Sequence, residues 1–406
     1  MKPKELATQW WSAGYRYDVN KTLLQTTWGL GINHAKISVA GCSVWGNHCF
    51  ALHTIQNFGD SLQKQQFSPV KDLNDASALS FVLTELTGGS NLSKIKTTIR
   101  LDKDEQHMVL DTSHDSPKDY IGNGTTNYAV VLARMFTHDG KDRGLVWLIV
   151  DNRLPGVSIS LTENCHAVHG LDVCQIEYKS VRLSCQESLL KGSVGLKSAD
   201  LFSTFKLERI AVSSMAVGVV QKWITKIQER HRDRFPASVE IRNTFRNRYE
   251  RWRGICDIMK TKAESLMRDF KITLCHATLF KICLTWMAKE CMGELRELGG
   301  AAAMFKDFGI KTDEADIDLM CTFAGDNSML CLYIMRKYRD MRGWRNRIRG
   351  MRLLSLASNA KLDVMVLAKA YVWLCMYDLV DPKEKYIQEY FRAKISLIHT
   401  FIVYRV

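Results

Sequence analysis

The period of the apolar positions changes twice along this chain. In the first stretch, Cys49-Phe50-Ala51-Leu52-His53-Thr54-Ile55 has helical apolar spacing, Phe58-Gly59-Asp60 breaks it, and Leu62 to Phe67 predicts a second short helix. From about residue 79 to 185 the runs shorten and alternate. Strands are predicted over Ala129 to Ala133, Leu145 to Val150 and Val173 to Tyr178, separated by Asp, Asn, Gly and Pro turns. After Leu201 the helical period returns in Phe205 to Ile227, Glu250 to Met267 and Leu274 to Leu298, with further helices from Asn327 onward. Leu279, Ile282, Cys283, Trp286 and Met287 share one helix face and are expected to form a buried stripe. The expected class is α+β. A helical segment spans 1–78, a barrel-like β domain 79–190, a helical bundle 200–350, and a further helical segment begins at 351–406.

Composition narrows the function classes. At 406 residues, with 46% hydrophobic and 24% charged positions, the chain can bury a large core in two or three domains. Six prolines favour long helices. No apolar run reaches the roughly 18 residues that span a bilayer. Met1-Lys2-Pro3-Lys4-Glu5 lacks an apolar signal core, so a soluble intracellular protein with no membrane span is expected. Twelve cysteines occur without a Cys-x-x-Cys pair, and Cys275, Cys283 and Cys291 sit in apolar helical stretches, so reduced thiols are expected. Cys165-His166-Ala167-Val168-His169 with Cys174 invites a metal reading, but the spacing fits no usual zinc pattern and no metal is expected.

The net charge of +13 suits nucleic acid, a membrane surface or a phosphorylated small molecule. Arginines concentrate over Arg230 to Arg253 and Arg336 to Arg352, and the second group interleaves aromatics with charge. A solvated helix face covered by Arg stems explains this as well, and no nucleic-acid motif accompanies it, so no nucleic-acid partner is expected.

The most informative segment is Leu83-Thr84-Glu85-Leu86-Thr87-Gly88-Gly89-Ser90-Asn91. Its glycines let backbone N–H groups approach an electron-rich ligand, and Thr84 and Ser90 add hydroxyls. The segment resembles the Thr-Glu and Gly-Ser/Thr turn of the acyl-CoA dehydrogenase and oxidase superfamily, with Asn91 leaning to the oxidase branch. Lys118-Asp119-Tyr120-Ile121-Gly122-Asn123-Gly124 falls where that family carries a strand whose Trp packs on flavin and whose Thr bonds to it. Tyr120 can still stack; Gly122 cannot donate a hydroxyl proton.

Ala216 to Gln221 resembles the small-residue helix that opens the family's C-terminal bundle. By the same resemblance Arg234 stands at the FAD-diphosphate arginine, with Arg232 a close alternative, and Leu298-Gly299-Gly300-Ala301-Ala302 resembles the glycine turn beside flavin. Thr322-Phe323-Ala324-Gly325-Asp326-Asn327-Ser328-Met329 is similar to the oxidase Thr-Phe-Glu-Gly-Glu/Asp-Asn segment. Ala368 to Leu397 looks like the opening of the extra C-terminal domain of oxidases.

The resemblance implies an acyl-CoA dehydrogenase-like fold, non-covalent FAD between the β domain and the bundle, with Thr84, Gly89, Ser90, Tyr120, Gly122, Arg234, Gly299, Gly300 and Asp326 around it. It also implies an acyl-CoA substrate, a homodimer and a peroxisomal location. Val403-Tyr404-Arg405-Val406 is not a Ser-Lys-Leu-type address. Relative to peroxisomal oxidases the chain is short at both ends.

One position breaks the pattern. The family's proton-abstracting Glu is Ala324 here, and a methyl group accepts no proton. Some members place the base on a helix facing this loop, and there Lys206-Leu207-Glu208-Arg209-Ile210 offers Glu208 as the candidate; Asp326 is a third option. Two function classes follow: FAD-dependent oxidation of an acyl-CoA to the trans-2-enoyl thioester with oxygen as acceptor, or a non-catalytic relative that keeps the fold for binding.

Overall fold

The computed structural model describes residues 3–12, 23–68, 78–89, 91–162, 168–234, 239–269, 271–341, 364–380, 389–390 and 393–394. The chain divides into two compact units. Met1–Leu23 with Ser38–Glu208 forms the first, and Leu24–Ile37 with Arg209–Val406 the second.

In the first unit, helix α1 spans Pro3–Ser12 and α3 spans Val39–Phe58, while α2, Leu23–Ala35, belongs almost entirely to the second unit. Ser38 caps α3 by accepting from the Gly41 N–H at 3.0 Å. The short helix α4, Ser61–Gln66, forms because Asp60 and Gln63 make a reciprocal capping box. The Gln63 amide also donates to the carbonyls of Glu187 and Leu189, at 3.0 and 3.2 Å, which ties the helix to a distant loop.

Among the described residues nine strands follow: β1 Leu79–Val82, β2 Thr98–Leu101, β3 His107–Asp111, β4 Lys118–Gly122, β5 Tyr128–Phe136, β6 Asp142–Asp151, β7 Val157–Leu161, β8 Val173–Tyr178 and β9 Val181–Ser184. One sheet runs β1-β5-β2-β3-β9, with β6 also paired to β5; the other runs β4-β8-β7. β5 is the spine. It lies parallel to β1 through Leu79–Tyr128 and antiparallel to β6 through Leu132–Trp147. Its run Ala129 to Ala133 is fully buried, as a strand covered on both faces requires. Trp147 is fully buried, stacks on Phe81 at 5.2 Å and donates from its indole to the Leu201 carbonyl at 3.2 Å.

In the second unit, α7 spans Phe205–Arg234, its first residues being counted with the first unit, α8 spans Val239–Arg268 and α9 spans Leu274–Gly299. α5, Cys185–Ser188, and α6, Ser198–Leu201, are single turns of the first unit. α10, Ile310–Met320, α11, Asn327–Met341, and α12, Val364–Val380, follow α9. α2 packs on α7 backbone to backbone. A Cβ on Gly218 would stand 2.3 Å from the Ile32 carbonyl oxygen, so only glycine fits there. Of the expected stripe on α9, Leu279, Ile282, Cys283 and Met287 are fully buried. Trp286 is only half-buried and packs at the edge against Trp373, with ring centroids 5.9 Å apart.

Among the described residues no helix is long and apolar enough to cross a membrane, and none of the eleven described cysteines is in a disulfide. Cys165 and His166 lie outside the described residues, while Cys174 is buried in β8. Arg248, Arg251 and Arg253 pair with Glu297, Glu294 and Glu250. Arg342 to Arg352 falls outside the described residues.

Candidate functional site

β1 runs out into the glycine turn. Thr84 is half-buried, and its hydroxyl donates to the Asp119 carbonyl, which leaves only lone pairs for a ligand. The Gly89 N–H closes the turn on the Glu85 carbonyl at 3.0 Å. Gly89 has φ +50° and open space where a Cβ would stand, so it is the backbone conformation that selects glycine. Ser90 lies outside the described residues.

β4 carries the aromatic candidate. Its pairing with β8 shifts register between Lys118 and Ile121, and within that bulge Tyr120 has φ 60° with 59% of its surface exposed. A bulky residue in the left-handed region costs roughly 1–2 kcal/mol and persists only where neighbours over-determine it. Here they do. Asp119 accepts the Tyr120 N–H on Oδ1 at 2.7 Å and the Gln175 amide on Oδ2 at 3.3 Å, while its own N–H donates to the Thr84 carbonyl at 3.1 Å.

Gly122 adds no hydroxyl, and its surroundings would resist one. A Cβ there would meet the Asn47 amide nitrogen and Leu171 at 3.2 Å, and that amide already donates to the Gly122 carbonyl at 3.0 Å.

Beneath these groups lies an ion pair that sequence reading passed over. Lys118 Nζ stands 3.2 Å from Glu85 Oε1 with both side chains fully buried. The same ammonium donates to the carbonyls of Leu83 at 3.0 Å and Leu132 at 2.8 Å. Glu85 also accepts from the Lys96 N–H at 2.7 Å, the Thr97 N–H at 2.9 Å and the Thr97 hydroxyl at 2.6 Å. Burial pulls Lys118 down to about 8, with Glu85 opposing. Burial by itself would raise the Glu85 carboxyl, but the Lys118 charge and the bonds from Lys96 and Thr97 outweigh it and hold the group below its ordinary value.

In the second unit, the segment from Cys321 to Asn327 folds as an irregular loop ahead of α11. Ala324 has φ 59° and Gly325 φ 94°, so two successive residues are left-handed. Two buried cations hold this backbone. Lys281, on α9, donates to the carbonyls of Cys321 at 3.2 Å and Gly325 at 2.6 Å and to Asn327 Oδ1 at 2.7 Å. Arg209, on α7, reaches the Ala324 carbonyl at 3.5 Å and the Thr278 hydroxyl at 2.8 Å.

Asp326 is occupied structurally. Its Oδ1 accepts the N–H groups of Ser328 and Met329 at 3.0 and 3.1 Å, which caps α11. That role accounts for a carboxylate at 326 without cofactor or proton chemistry.

The glycine turn at the end of α9 and the candidate arginine do meet. Gly300 has φ +60°, and a Cβ on it would stand 3.4 Å from an Arg234 guanidinium nitrogen. Arg232 instead pairs with its neighbour Asp233 at 3.3 Å. Gly299 is buried, and a Cβ there would press on Phe308 at 3.1 Å. His231, three residues before Arg234, donates from Nε2 to the Leu298 carbonyl at 2.9 Å and fixes the two helix ends together; burial, the largest cause, shifts this histidine below its ordinary value, against the opposing bond to Leu298. Glu208 is half-buried in the first turn of α7, where a helix N-terminus favours a carboxylate.

Glu85, Lys118, Arg209 and Lys281 were missed because charged side chains read as surface; the only signal was that Glu85 and Lys118 lie inside the two turn-and-strand motifs. A cavity of about 660 Å³ in the first unit is lined by His107, Arg143, Cys185 and Lys191 among others, and by none of the residues above.

Residues 80–181 match the family model described as acyl-CoA dehydrogenase, middle domain. Over 63% of this chain and 45% of its own length, acyl-coenzyme A oxidase 1 of Yarrowia lipolytica is 26% identical. The acyl-coenzyme A oxidase-like protein of Mus musculus is 24% identical over 63% of this chain and 47% of its own. The chain thus spans about half the length of these curated relatives. Among solved structures, acyl-CoA oxidase 1 from Yarrowia lipolytica superimposes with a TM-score of 0.71 over 98% of this chain and 70% of that one, at 18% identity, which establishes the likeness of fold.

Proposed function

This chain belongs to the acyl-CoA dehydrogenase and oxidase superfamily, and from that premise we propose that it binds FAD and oxidises a fatty acyl-CoA to the trans-2-enoyl thioester with oxygen as acceptor, as part of fatty acid β-oxidation. The observation that carries the reading is Tyr120, an aromatic side chain held exposed on a strained left-handed residue beside Thr84. Strain of this kind marks ligand sites. Residues present in the first unit suit a flavin: an open turn at Gly89, lone pairs on Thr84 and the Tyr120 ring. In the second, Arg234 beside Gly300 suits a diphosphate. Bound flavin would supply the acceptor for the β-hydride.

The chain's own residues then have to remove the α-proton. Ala324 has no group for this and Asp326 is committed to a helix cap. Glu208 is the proposed base. A homodimer and a peroxisomal site of action belong to the same proposal; one relative, from Arabidopsis thaliana, is named as peroxisomal. The methyl group at 324 favours a second reading, a binding protein that retains FAD and acyl-CoA without turnover, and one relative is named oxidase-like.

Purified protein incubated with FAD tests the first step. The expected result is a visible flavin spectrum that survives desalting in the natural protein and is weakened by Tyr120→Ala. Protein that takes up no FAD at saturating concentration overturns the proposal.

A further inference from the structure

We propose that the buried Glu85–Lys118 pair is a positioning element that locks Thr84 and Tyr120 together, so that the flavin-binding face of the first unit stands only while the pair is intact. The inference rests on the flavin reading above. Geometry supports it directly. Glu85 follows Thr84 and Lys118 stands two residues before Tyr120, and the two charged residues form an antiparallel bridge. Asp119 between them exchanges both of its backbone groups with Thr84 and holds the Tyr120 N–H on its carboxylate.

Stability alone does not explain the pair. A buried ion pair is commonly no better than well-packed apolar side chains of the same volume, because desolvation offsets the attraction. What two charges do better is fix geometry. The three ammonium donors are all used, on the Leu83 and Leu132 carbonyls and Glu85, so the end of β1, β4 and β5 are tied at one atom.

The pair also makes a distinctive pH signature. Removing a proton from Lys118 leaves two N–H donors for three acceptors, so the lock loosens above about 8. Global stability moves the other way. Because the folded-state value lies below the ordinary 10.5, the unfolded chain binds more protons between about 8 and 10.5, and this group's contribution to stability rises with pH over that window. Other charged groups on the segments around the pair include Lys94, Lys96, which pairs with Asp115, Asp119, and Arg134 of β5, which pairs with Asp142.

The test measures FAD affinity of the full chain by flavin fluorescence from about pH 7 to about pH 9, with thermal melts of the cofactor-free protein on the same samples. FAD affinity should weaken by up to about tenfold while the melting temperature holds or rises. In Glu85→Gln with Lys118→Met, the step should vanish and affinity should fall at least about tenfold at pH 7, with folded circular dichroism retained. A flat affinity profile in the natural protein, or a folded double variant that binds like it, overturns the proposal. If the double variant does not fold, the opposed pH trends of the natural protein decide alone. Natural protein that binds no FAD at any pH sinks the flavin reading and this inference with it, an outcome distinct from binding that ignores pH.

Discussion

At the residue scale, the site is written mainly in backbone conformation. Tyr120 and Ala324 are both left-handed, and neither is Asn or Gly, the residues that adopt this region readily. Tyr120→Gly should therefore relieve strain, raising stability by about 1 kcal/mol, while it weakens FAD binding; a melting temperature that falls would show that the ring packs for stability rather than for a ligand. Ala324→Glu is tolerable because glutamate meets the same left-handed cost as alanine. If Glu208 is the base, this substitution changes flavin reduction only modestly, whereas an increase of ~10²-fold would assign the natural protein to the binding class. The aromatic, the glycines and the absent carboxylate were legible in sequence, since each is a matter of residue type at a spacing. The ionic supports were not. Glu85, Lys118 and Lys281 are fully or almost fully buried, against the usual exposure of their types, and only tertiary hydrogen bonding makes that tenable.

At the scale of elements, long periodic segments declared themselves and short ones did not. β5, β6 and β8 appear where alternation predicts them, and the helices α7 and α9 begin at the expected residues. α8 begins at Val239, eleven residues before the expected start, because Arg-rich turns hide its apolar face. β2, β3 and β9 span only four or five residues, too few for a period of two to stand out. Gly218 gives the clearest prediction at this scale. Gly218→Val should destabilise by at least ~3 kcal/mol, because a Cβ at 2.3 Å from the Ile32 carbonyl forces α2 and α7 apart; unfolding in urea measures it. Trp286→Ala, by contrast, should cost less than the ~3–5 kcal/mol of a fully buried aromatic, since this ring is half-exposed at the end of its stripe.

At the scale of the whole molecule, both units hold neutral histidines. Burial lowers His34 in the second unit, and His48 and His53 in the first, from 6.5 to about 4, with Lys206 adding to the effect at His53. A folded value below the unfolded one means that the unfolded chain binds more protons between these limits. Stability is thus fully present above about 6.5 and declines as pH falls towards 4, by about 3 kcal/mol for His48, whose Nδ1 accepts the Leu79 N–H. His48→Gln should flatten that acid limb, as a melt series across the window would show. The α+β architecture and its order of helical and strand segments were legible from periodicity and motif together, because each segment is long enough to average over local exceptions. Oxidation of acyl-CoA with Glu208 as the base is the proposed activity. Its most direct test is anaerobic mixing of the FAD-loaded protein with short, medium and long acyl-CoAs, followed by flavin absorbance. Bleaching by at least one chain length, lost in Glu208→Gln with FAD still bound, is the expected result; an oxidised flavin with every acyl-CoA, or bleaching that Glu208→Gln leaves unchanged, overturns this assignment.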